Sequence, residues 1–173
     1  QGREFEIIAS KYDRNRHYFL GHFFRENYEK WLKSLPIVSS GININRVEVY
    51  ILNRTNNSQA LRNFAAFTDL GEGKRILNPS NPLIGLGNLG PNDNASNNLY
   101  DNIINNSSLR NNDQIDDILS NINGLSKTID FEKVTSARKL NTDEYEVNKT
   151  LGYISLLRRL QNDEVLAVSY EYT

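Results

Sequence analysis

The chain opens on a short alternation, Arg3-Glu4-Phe5-Glu6-Ile7-Ile8-Ala9, which reads as a strand over residues 3–9. A period of three to four then takes over. Leu20, Phe24, Asn27 or Tyr28, Trp31 and Leu35 recur at helical spacing, and Phe19, Phe23 and Leu32 widen the apolar stripe. This predicts a helix from Tyr18 to Ser34, stopped by Pro36, which has no N–H to continue it. Gly21 inside that helix costs about 1 kcal/mol relative to Ala, so a packing reason is expected there.

Strand patterning follows from Ile42 to Leu52. Val47, Val49 and Ile51 fall on one side, and Arg46, Glu48 and Tyr50 on the other. The polar run Asn53–Gln59 reads as a turn and Arg62–Leu70 as a second strand, so the two predict a hairpin with a long loop. Residues 71–97 show no period and read as a long loop. Leu99, Ile103 and Ile104 predict a short helix. Ile115, Ile118, Leu119, Ile122 and Leu125 predict another, with Asn112 or Asp113 as its cap and Gly124 near its end. Strands return with Asp130–Leu140, Tyr145–Leu157 and Val165–Thr173, separated by turns at Asn141–Glu144 and Gln161–Asp163. In the last strand Leu166, Val168, Tyr170 and Tyr172 share a face. The expected fold is α+β: an antiparallel-rich sheet with helices packed on one face and a long Asn-rich loop insertion at 71–97. One domain is expected over residues 1–173, with no internal repeat.

Composition narrows the functional classes. With 20 Lys+Arg against 21 Asp+Glu, the chain lacks the basic surplus that nucleic-acid binding by counter-ion release needs. Zero Cys excludes disulfides, thiol nucleophiles and thiolate metal sites. No apolar run approaches the ~20 residues of a membrane-spanning helix. Nine Tyr and seven Phe argue against a disordered chain, whereas 25 Asn make its middle rich in turns. The chain begins at Gln1 and contains no Met, which suggests a processed piece or a domain cut from a larger protein.

Candidate chemistry is sparse. Gly85-Leu86-Gly87-Asn88-Leu89-Gly90 matches G-x-G-x-x-G, but Pro82 and Pro91 flank it where a nucleotide loop needs a strand and a helix. His17 and His22 stand five apart rather than at the i, i+4 spacing of a helical metal pair, and His17 is better placed to meet Asp13. Asp116-Asp117 and Asp143-Glu144 are sequence neighbours, which do not face each other, and read as solvated surface. The Asn92–Asn94 and Asn111–Asp113 runs lack the spacing of a calcium loop. The Asn-x-Ser/Thr triplets at Asn53, Asn56, Asn94, Asn105, Asn106 and Asn148 follow from the Asn bias. A non-catalytic module without cofactor or metal is expected. Arg158 and Arg159, with Tyr170 and Tyr172 on the last strand, form a candidate interface, because Arg and Tyr are favoured at contact surfaces. A solvent-facing hairpin explains the same arginines equally well.

Several strings extend beyond generic patterning. FEIIASKYDRNRHYFLGHFFRENYEKWLKSLP, NINRVEVYILN, RNFAAFTDLGE, PNDNASNNLY and FEKVTSARKLNTDEYEVNKTLGYISLLRRLQNDEVLAVSYEYT resemble a segment of the SprA/Sov family. These are very large outer-membrane proteins of Bacteroidota, associated with gliding motility and type IX protein secretion. The resemblance runs from Phe5 to Thr173, is weakest over Asn78–Gly90, and is most specific in LGYISL…LQNDEVLAVSYEYT. It implies a place in the cell envelope, within the secretion translocon of the outer membrane, as a soluble insert rather than barrel wall. The implied partners are other parts of the parent translocon, secretion-system proteins and passing cargo proteins. It assigns no function to individual residues. A free-standing glycan- or peptide-binding module is the alternative.

Overall fold

A computed structural model of the chain describes residues 13–52, 61–68, 99–122 and 125–173. The strand expected at 3–9, the 71–97 stretch with its Gly-rich motif, the Asn53–Gln59 turn and Gly124 lie outside the described residues. Among the described residues the fold is mixed α+β, with two antiparallel sheets and three helices. In chain order the elements are β1 (His17–Phe19), α1 (His22–Lys33), β2 (Ile44–Leu52), β3 (Leu61–Phe67), α2 (Leu99–Ile104), a 3-10 turn (Ser107–Arg110), α3 (Ile115–Ser120), β4 (Phe131–Lys139), β5 (Tyr145–Asn148), β6 (Tyr153–Leu156) and β7 (Leu166–Tyr172). The smaller sheet has the order β1-β6-β5 and the larger β3-β4-β2-β7.

The first helix is shorter than its apolar stripe predicts. His17–Phe19 pair with Tyr153–Ser155 as a strand, and Gly21 takes an extended conformation as the N-cap. Gly21 is therefore not a helix-interior glycine. The helix ends at Lys33, with Ser34 as C-cap, and Lys30 and Lys33 complement the carbonyl end of its dipole. It buries Phe24 and Trp31.

The predicted hairpin of β2 with β3 does not form. The strand β4 lies between them, pairing with β2 through Tyr50↔Lys139 and with β3 through Phe67↔Phe131. The Phe131, Val134 and Ala137 side chains of β4 are all buried, which suits an interior strand better than an edge. Opposite Arg62–Phe64, β4 carries an extra residue, with Ser136 at φ 60° and its N–H donated to Asn63 Oδ1 at 2.9 Å. The final strand pairs with β2 from Ile51↔Leu166 to Ile44↔Tyr172. The α3 helix is also shorter than predicted. Its N-cap is Gln114, with no side-chain cap bond, while Asn111 Oδ1 accepts the Asp113 N–H in a turn just before it.

Three apolar clusters hold these elements. In the largest, Leu20, Phe24 and Trp31 meet Ile44, Val49 and Ile51 of the larger sheet and Tyr145, Ile154 and Leu156 of the smaller one. A second joins Leu99, Ile115 and Leu119 to Leu125 and Phe131. A third gathers Tyr50, Val134 and Ala137 with Phe64 and Leu52. Alternation along β2 is as the pattern predicts, with Val49 and Ile51 in one cluster and Tyr50 in another.

Gly152, in the turn before β6, has φ 69°, and a Cβ there would overlap the Phe24 ring. Gly41 has φ 70°, and a Cβ there would meet nothing within 4 Å. Gly152→Ala is expected to cost about 3 kcal/mol, from overpacking added to left-handed strain, and Gly41→Ala only about 1 kcal/mol. Trp31→Ala is expected to cost about 3–5 kcal/mol. Urea denaturation of the three variants checks the ranking.

Candidate functional site

The four residues proposed as an interface are divided between opposite ends of β7. Arg158 and Arg159 precede the strand, whereas Tyr172 lies six residues beyond Leu166, about 20 Å along it. The Tyr170 ring packs edge-on against Phe24 at 6.0 Å and lies 5.8 Å from Tyr172, so it belongs to the main core. The Arg158 guanidinium grips Glu164 with two bonds of 2.8 and 2.6 Å. Arg159 is exposed and reaches Asp13 at 3.8 Å. The structure does not bring the two arginines and the two tyrosines into one patch.

Glu164 also accepts the Gln161 N–H at 2.8 Å, closing the turn predicted there. An equivalent clamp stands nearby. Arg138 binds Glu144 through bonds of 2.6 and 2.8 Å, and Glu144 accepts the Asn141 N–H at 2.8 Å. The clamps adjoin through Leu157, whose N–H donates to the Glu144 carbonyl at 3.0 Å. The guanidinium of Arg138 holds the Glu144 carboxyl below its ordinary range, and that of Arg158 does the same for Glu164. A third carboxylate, Glu48 on β2, receives donors from Lys139, Tyr50 and Arg46, with the Tyr50 hydroxyl at 2.6 Å. Together they lower its pKa to about 2.

The smaller sheet carries a polar row. His17, Ser155 and Glu146 are cross-strand neighbours in register, with His17 Nδ1 at 2.8 Å from Ser155 Oγ. As predicted, His17 also faces Asp13, with Nε2 4.0 Å from Oδ2. Sequence reading could not find the serine partner, which lies far along the chain. The acid is also engaged by Arg16 at 3.4 Å and by Arg159 at 3.8 Å. The row is a solvated surface ladder. Beside it, Glu146, Asn148, Lys149, Thr150, Tyr153 and Ser155 line an open hollow of about 370 Å³. An apolar groove of about 300 Å³ runs between Tyr18, Ile154, Leu160, Leu166 and Val168, where the two sheets approach.

Among the described residues no group of three His, Asp or Glu side chains is placed to hold a metal ion, and no helix is long and apolar enough to cross a membrane. No protein-family model matches the chain, and no curated protein matches it.

The depressed carboxylates set the acid response. A carboxyl whose folded pKa lies below its unfolded value stabilises the fold above the unfolded pKa, and that stability is lost as pH falls through the folded one. Stability is therefore expected to decline from about pH 4.5 towards pH 2, with Glu48 the last of the three to protonate. Urea midpoints measured across that range check this, and Glu48→Gln is expected to flatten the profile.

Proposed function

We propose that the chain is a non-catalytic structural and interaction domain of a type IX secretion translocon in the outer membrane, supporting protein secretion and gliding motility. The observation that carries the reading is the resemblance to the SprA/Sov family from Phe5 to Thr173, above all in LGYISL…LQNDEVLAVSYEYT. In this reading the domain is an insert outside the barrel wall. It contacts other parts of its parent, secretion-system proteins and cargo in transit.

The chemistry of the described residues is in keeping with such work. Glu48, Glu144 and Glu164 are each committed to ion pairs that shape turns and sheets. The Trp31 indole, the strongest sugar-stacking group in the chain, is buried in the main core, which weakens the case for a free-standing glycan-binding module. In the proposed arrangement all three helices cover one face of the larger sheet. Register supports this: Ile51 and Arg138 pair, Arg138 faces Leu61, and the alternation continues to Phe67 and Phe131 under α2 and α3.

An antibody raised against the domain, used on fractionated source cells, tests the reading. The expected result is a single very large band in the outer-membrane fraction. A soluble band near 19.9 kDa would overturn it.

A further inference from the structure

The two clamps have matching sequences. Arg138-Lys139-Leu140-Asn141-Thr142-Asp143-Glu144 and Arg158-Arg159-Leu160-Gln161-Asn162-Asp163-Glu164 both read R-[K/R]-L-x-x-D-E, with starts 20 residues apart. This is a short internal repeat, contrary to the expectation of none, and at heptad length it is far smaller than the units of about 20–50 residues that build repeat folds.

The correspondence extends to what each residue does. The first position grips the seventh, Arg138 on Glu144 and Arg158 on Glu164. The seventh accepts the N–H of the fourth, Asn141 or Gln161, and returns its own N–H to the same residue's carbonyl at 3.0 or 3.1 Å. The second position reaches an acid on a distant segment: Lys139 pairs with Glu48 and Arg159 with Asp13. The third donates its N–H to a carbonyl of that same segment, Leu140 to Val49 at 2.8 Å and Leu160 to Asn15 at 2.8 Å. Both leucine side chains pack in the main core. Each captured segment is part of, or leads into, a strand: Glu48-Val49 belong to β2, and Asp13–Asn15 precede β1.

We infer that the heptad is a segment-docking unit used twice, recognising a neighbouring stretch of chain by one acidic side chain and one backbone carbonyl close after it. The Arg–Glu clamp fixes the turn, so that the cation and the leucine amide are presented together. The partner class is an acidic segment at or near a strand, supplied within this chain at both places. The first unit holds its acid more deeply, Glu48 being 14% exposed against 45% for Asp13.

Native-state hydrogen exchange tests the inference. Arg158→Met is expected to speed exchange of the Leu160 amide about tenfold, and Arg138→Met that of Leu140, with the Phe64 amide unchanged in both. A second variant, Arg159→Lys with Gln161→Asn and Asn162→Thr, gives the second unit the sequence of the first, and should keep the Leu160 amide as protected as in the parent. Unchanged exchange at Leu160 in Arg158→Met, equal acceleration of all amides, or loss of Leu160 protection in the interchanged variant would each overturn the docking unit.

Discussion

The Phe24 ring occupies the space that any side chain at residue 152 would need, and the rest of the assembly is arranged about that contact. Gly152 meets the requirement twice over, by lacking a Cβ and by tolerating a φ of 69°. Its carbonyl accepts the Leu20 N–H at 2.9 Å, which fixes the chain between β1 and α1. On its other side Phe24 meets Tyr170 of β7, and its ring centroid stands 6.3 Å from that of Trp31 on the same helix. One ring thus touches the helix, the smaller sheet and the larger sheet. Aromatic side chains bury about 150–250 Å² each, so this cluster alone supplies several kcal/mol of apolar stabilisation.

Charge is used differently from apolar bulk. Paired surface charges stabilise a fold only modestly, but a bidentate arginine fixes geometry as well as energy. In both heptads the arginine and glutamate close a turn that no Gly or Pro enforces, and the turn aims a leucine amide at a strand-forming segment. Polar corners and apolar strands are thereby reconciled: the sheets are joined by rigid, charged turns.

Much of this architecture was legible from residue patterns, because alternation and helical spacing are local properties. The alternating positions of β2 and β7 and the stripe bearing Phe24 and Trp31 could be placed directly. Pairing could not, because β4 enters between β2 and β3 from some 70 residues away, and nothing near Leu52 or Leu61 announces it. The segment at Tyr18 and Phe19 satisfied the helical stripe and the strand equally well, and only its partner β6 decided the matter. The candidate interface suffered from the same gap. Arg158, Arg159, Tyr170 and Tyr172 are close in sequence, but an extended strand carries the tyrosines away from the arginines. The heptad was readable in principle, since RKLNTDE and RRLQNDE stand close together in the text, but its meaning lay in Glu48 and Asp13, both remote.

The strand order of the larger sheet also governs when the molecule can assemble. The partners of β2 lie roughly 90 and 120 residues downstream, at Lys139 and Val168. A ribosome adding about 5–20 residues per second takes on the order of ten seconds to deliver them. Until β4 is made Ile51 has no strand beside it, Val47 and Val49 lack theirs until β7 follows, and for all of that time the main core lacks one wall. Until β7 is made, the β2 edge that it covers from Ile44 to Ile51 stays unpaired, so the largest apolar cluster closes only late in synthesis.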